Sequence, residues 1–270
     1  MKLMKQRPKR SAASLLTAVL VSSPIIANAA DANLSSTFSV YFKGIPVATM
    51  KNKIVINGTR YKIDGSARTN KAMAIIASSK GSMSASGKIS GTKVIPSSQN
   101  ASFRRGKKKG ETQLTFAGAN VVKIAYSPKI KIKPDTIPLK DSHSKNVLDP
   151  VSALIFPVAD GGKTNGKEVC NRSVPVFDGK VRMNLEFSYK GEGTDRPAGY
   201  NGPVYRCAVK YVPVAGHRKS NKGTNFLKTR KDIEVQMGRV GSTDVFSLVG
   251  FKVPTRFGMI EGNATKLALR

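Results

Sequence analysis

Residues 181–189 alternate without a break: Val181, Met183, Leu185, Phe187 and Tyr189 fall on one face, Arg182, Asn184 and Glu186 on the other. A period of two marks a half-buried strand, and it recurs along the chain. Residues 37–43 set Phe38, Val40 and Phe42 in phase, 53–57 set Ile54 and Ile56, and 204–212 align Tyr205, Cys207, Val209 and Tyr211. Residues 60–64, 113–116, 121–126, 129–133, 173–177, 233–237, 245–253 and 255–260 read as further strands. Two exposed strands are expected before Pro96, and 265–269 is expected to fold back across Glu261-Gly262-Asn263. Asn57-Gly58, Asp178-Gly179 and Asn201-Gly202 supply turns. About ten to thirteen strands with one or two short helices predict an all-β, mainly antiparallel sheet. Such a sheet curls strongly or forms a half-open β-barrel.

Two stretches break the alternation. Ala72-Met73-Ala74-Ile75-Ile76-Ala77 reads as a short helix. Asp149 suits an N-cap and Pro150 the first helical position. Val151, Leu154 and Ile155 then share one face before Pro157 stops the run, so a short apolar helix is expected over 149–156.

The start of the chain has a separate logic. Lys2, Lys5, Arg7, Lys9 and Arg10 precede an apolar run over 12–26 that ends at Ala27-Asn28-Ala29. Charged start, apolar middle and small-x-small end predict a signal peptide over 1–29, cleaved before Ala30, and one exported β-rich domain over 30–270. The run is shorter than the roughly 20 residues a spanning helix needs. A periplasmic location follows as an expectation.

Cys170 and Cys207 are the only cysteines. An even pair in an exported chain predicts a disulfide. A metal site would want more ligands, and His143 and His217 stand at no recognisable spacing from them. No metal or cofactor is expected.

The chain carries a net charge of +30. Such an excess points to an anionic partner, and export weighs against nucleic acid. Arg104, Arg105, Lys107, Lys108 and Lys109 form the one dense cluster, read as a solvated loop tip that could contact anionic envelope components. Solubility together with a general basic bias is the alternative account.

Catalytic patterns are sparse. Ser152 lacks a Gly-x-Ser-x-Gly setting, and helix capping explains Asp149. His217 follows a glycine turn and pairs with no recognisable nucleophile in sequence. No catalytic residue is assigned, and an enzyme is not expected.

Longer strings carry a resemblance: Leu148-Asp149-Pro150-Val151-Ser152-Ala153-Leu154, Cys170 before Val174-Pro175-Val176-Phe177-Asp178-Gly179-Lys180, Gly199-Tyr200-Asn201-Gly202 with Cys207, and Pro213-Val214-Ala215-Gly216-His217. With Tyr41-x-x-Gly44 and Pro254, these resemble the bacterial exported family named domain of unknown function 3108 (DUF3108). The resemblance implies a Gram-negative periplasmic or outer-envelope location and no settled activity. The architecture is also similar to that of the periplasmic lipoprotein-carrier superfamily, in which a curved sheet wraps a helix.

The functional expectation is a non-enzymatic envelope protein that binds a lipid or other apolar ligand in the concavity, against Val151, Leu154, Ile155 and Phe156. The same four residues equally describe the plug of a dry core. An envelope-integrity scaffold using the basic surface is the alternative, and a hydrolase built on His217 and a serine is the third.

Overall fold

The computed structural model describes residues 31–71, 73–74, 78–159, 164–194 and 196–269. The expected signal peptide and most of the expected helix at 72–77 lie outside them. Within them, fourteen strands form one antiparallel sheet. They are β1 (Ala32–Phe42), β2 (Ile45–Asn57), β3 (Arg60–Thr69), β4 (Ser79–Ser90), β5 (Lys93–Arg105), β6 (Lys108–Ala117) and β7 (Asn120–Ser127). After a long connection come β8 (Ile155–Pro157), β9 (Arg172–Phe177), β10 (Arg182–Glu192), β11 (Val204–Ala215), β12 (Ile233–Arg239), β13 (Val245–Thr255) and β14 (Gly258–Leu269).

The spatial order is β7-β6-β5-β4-β3-β2-β1-β14-β13-β12-β11-β10-β9, with β8 paired to the start of β13. The last strand therefore joins the first: Leu34 faces Leu269 and Phe42 faces Ile260. The expected fold-back at 261–263 does not occur. Residues 258–269 run as one strand, because β1 offers them a continuous ladder of partners, with a single register shift at Thr37/Phe38.

Antiparallel succession places the connections alternately on two rims. One rim carries the turns at 43–44, 106–107, 178–181, 216–232 and 256–257; the other carries 58–59, 91–92, 118–119, 193–203 and 240–244.

The expected helix over 149–156 is not formed. One 3-10 turn, Ser152–Leu154, leads directly into β8. The Asp149 carboxylate still caps, its Oδ1 accepting from the backbone N–H groups of Val151 and Ser152 at 2.9 Å each. Beyond the turn, Ile155, Phe156 and Pro157 pair with Ser247, Phe246 and Val245. A buried backbone must find partners, and the free edge of β13 satisfies it without further helical turns. The carrier-like picture of a sheet around a helix becomes a sheet around an extended plug.

That plug divides the interior. Val151 and Ile155 pack with Phe38, Ile54, Tyr61 and Ile63. Phe156 turns to the other cluster, meeting Phe187 edge-on at 4.9 Å beside Tyr205 and Phe246.

Two short helices stand where alternation had nothing to say. The first, α1 (Gly166–Cys170), is capped by Asn165, whose side chain accepts from Lys167 and Glu168. The second, α2 (Lys222–Leu227), is capped in the same way by Asn221. The expected disulfide is present: Cys170 at the end of α1 joins Cys207 on β11, with Cα atoms 5.3 Å apart. It clamps α1, and through it the edge strand β9, onto the sheet.

Candidate functional site

The sheet's two edge strands, β7 and β9, come together without pairing. The chain at 146–148 runs between them. Val147 N–H donates to Ala119 O at the head of β7, while Leu148 N–H donates to Pro175 O and Leu148 O accepts from Phe177 N–H on β9. Leu114, Phe116, Val147 and Phe177 fill this seam with a small core of their own. The roll is thus closed by side chains and one threaded segment rather than by a ladder.

Toward the other end of β7 the seam gapes. Tyr126 donates its hydroxyl hydrogen to Gly179 O, and beyond that contact lies a cavity of about 1080 Å³. The strap over 129–139 covers it. The alternation of residues at 129–133 predicts a strand there, yet no strand pairs with this segment. The strap is held further along: Ile137 N–H donates to His217 O, Gly216 N–H to Ile137 O, and Lys219 N–H to Asp135 O. Arg218 Nε adds a bond to Asp135 Oδ1 at 2.8 Å.

The lining is amphipathic. Ile124, Ile130, Ile132 and Leu139 supply apolar surface, and Ile132 is 82% exposed. Lys129, Lys131, Lys133, Lys180 and Arg218 stand around it. Asp135 is the opposing carboxylate, and its bonds from Arg218 and Ser220 hold it well below the usual carboxylate range. The Tyr126 phenol is pushed up to about 12, first by burial and then by the Asp178 carboxylate. It is therefore a neutral donor at physiological pH.

Gly216 makes the close approach possible. Its φ is +80°, and a Cβ there would stand 1.8 Å from Lys180 O. Gly179, at φ +92°, faces Leu114 and Tyr126 across the seam.

The residues singled out in sequence fall elsewhere. Val151, Ile155 and Phe156 are buried in the two main clusters, and Val151, Leu154 and Ile155 border a cavity of only about 60 Å³. Pockets for small ligands run to about 300–1,000 Å³, so the larger space lies at the seam. Arg104, Arg105, Lys107, Lys108 and Lys109 are all exposed on the hairpin between β5 and β6, a solvated tip as expected. His217 lends its carbonyl to the strap, and its buried Nδ1 has no hydrogen-bond partner among the described residues.

Sequence reading missed the seam residues Tyr126, Lys129, Lys131, Lys133, Lys180 and Arg218. One signal was present: Lys129-Ile130-Lys131-Ile132-Lys133 alternates strictly between charge and isoleucine.

No curated protein matches the chain. Among solved structures it is similar to a beta-barrel-like protein of domain of unknown function DUF1849 from Brucella abortus, at 8% identity, over 88% of this chain and 98% of that one, with a TM-score of 0.47. The family model described as "Protein of unknown function (DUF3108)" matches residues 37–260. On the strength of that match, which spans most of the sheet and both edges of the seam, the chain belongs to the DUF3108 family.

Proposed function

We propose that this is an exported periplasmic protein that holds one apolar or amphiphilic chain, such as a lipid acyl tail, in the seam cavity under the strap. The observation that carries the reading is the lining itself. Isoleucine and leucine side chains stay exposed in a space of about 1080 Å³, inside a ring of lysines. Water gains little from contact with such surface, and each methylene removed from water contributes about 0.8 kcal/mol. A carboxylate or phosphate on the ligand would meet Lys129, Lys131, Lys133 or Arg218 at the mouth. The function is binding rather than catalysis.

A fluorescent fatty acid tests this. It should bind the wild-type protein, and Ile124→Glu with Ile132→Glu should weaken it at least tenfold with the circular dichroism spectrum unchanged. Equal binding by both proteins would contradict the reading, as would no binding by the folded wild type.

A further inference from the structure

We infer that the rim bearing the 43–44, 106–107 and 256–257 turns is a docking face for an anionic lipid surface, with Phe257 and Ile45 as its apolar contacts. This inference stands independently of whether the seam holds a ligand.

The two rims differ sharply in charge. Turns and connections on this rim carry Lys43, Lys107, Arg218, Lys219, Lys222 and Arg256 against the acidic Asp178 and Asp232, and Arg104, Arg105, Lys108 and Lys109 flank the 106–107 turn. On the opposite rim, the turns between successive strands hold only Arg196 and Asp244 as charged groups among the described residues, with Arg60, Lys93 and Arg239 at the strand ends beside them. The basic excess of the turns is therefore concentrated on one rim.

Apolar exposure follows the same polarity. Phe257 is 73% exposed and Ile45 is 62% exposed, each at the tip of a hairpin. These tips are neighbours, because β1 pairs with β14 and Lys43 N–H donates to Met259 O at 3.2 Å. Lys43 and Gly44 both have positive φ, which makes the first tip tight. Gly258 lies directly against the Lys43 side chain, where a Cβ would come within 2.6 Å of Lys43 Cε. The Arg256 guanidinium lies 5.7 Å from the Phe257 ring. Each tip thus pairs an outward apolar residue with a cation. Shallow burial of apolar side chains plus attraction to anionic headgroups is the physics of interfacial binding.

A soluble acidic macromolecule would use the charge and have no use for Phe257. The joint display of apolar and cationic residues on adjacent tips is what favours a lipid surface.

The chain has no tryptophan, so Phe257→Trp installs a single fluorophore at the tip, and Thr92→Trp one on the opposite rim. With vesicles of phosphatidylcholine and phosphatidylglycerol at low salt, Trp emission in the Phe257 variant should shift to the blue and that in the Thr92 variant should not. Phosphatidylcholine alone should give no shift. Lys43→Glu and Arg256→Glu, placed in the Phe257→Trp background, should each weaken binding about fivefold, and added salt should weaken it further. A shift in both reporters, a shift in neither, or an equal shift on neutral vesicles would overturn the inference. So would binding to soluble heparin with no shift on vesicles, which would assign the rim to an acidic macromolecule.

Discussion

The hydroxyls of Tyr61 and Ser152, ninety-one residues apart in sequence, meet at 2.7 Å in the buried interior. The contact fastens the plug to β3. Ser152 is also bonded through its backbone N–H to Asp149, which is fully buried, so a short polar chain crosses an otherwise apolar core. Burial pushes the Tyr61 phenol well above its ordinary value, and it stays a neutral partner. Removing either hydroxyl leaves the other buried and less satisfied, at about 1–3 kcal/mol. Tyr61→Phe and Ser152→Ala should each lower stability by that amount in urea unfolding, and the double variant should lose less than the sum. Strict additivity would mean that the contact contributes nothing.

Asp149 makes stability depend on pH. Burial raises its carboxyl above the ordinary value of 3.8, outweighing the bonds from Val151 and Ser152. The folded state then holds its proton at pH values where the unfolded chain has released it. Stability is full below 3.8 and falls as pH rises through the folded value. Asp149→Asn keeps an acceptor for the two N–H groups and cannot ionise. Between 3.8 and the folded value the wild-type urea midpoint should fall with rising pH more steeply than the variant's; parallel curves would refute the assignment.

The disulfide closes a loop with a sequence separation of 37. Loop entropy puts its contribution at about 4 kcal/mol. Cys170→Ala with Cys207→Ala should lose about that much in urea unfolding, with early exposure of β9 to protease, since α1 is no longer tied to β11.

Gly216→Ala should cost about 2 kcal/mol or more, because it joins a left-handed backbone to a clash with Lys180 O. Seam probes such as Tyr126 should respond before the β1–β2 ladder does. A neutral substitution would mean that the approach of β11 to the 178–181 turn is looser than described.

Asp135 governs the strap. Because the bonds from Arg218 and Ser220 lower its pKa, its contribution is present above 3.8 and lost as pH falls through the folded value. Asp135→Ala should speed hydrogen exchange at Ile137 and Gly216, whose N–H groups hold the strap to the 216–220 loop. The global midpoint should barely move, because the pair is exposed.

Much of the sheet was legible because alternation is local: β10 and β11 show their inner faces residue by residue. The disulfide was legible from the even pair of cysteines in a chain whose start reads as an export signal. The plug was half legible. Asp149 reads correctly as a cap, but the choice between another helical turn and pairing with β13 depends on an edge that sequence does not display. Lys129-Ile130-Lys131-Ile132-Lys133 has a strand's alternation and lacks a strand's partner. Helices of five and six residues, α1 and α2, are too short to reveal a period and show only their asparagine caps. The seam itself arises from how far the sheet rolls, so its residues, drawn from β7, the strap and two distant turns, could not be gathered in advance.

Native mass spectrometry of the protein recovered from the cell envelope tests the seam most directly. The wild-type chain should carry one apolar adduct under gentle conditions, and the Ile124→Glu, Ile132→Glu variant should fly bare. Two bare chains, or an adduct of equal occupancy on both, would contradict the claim that the gap between β7 and β9 is where a ligand sits.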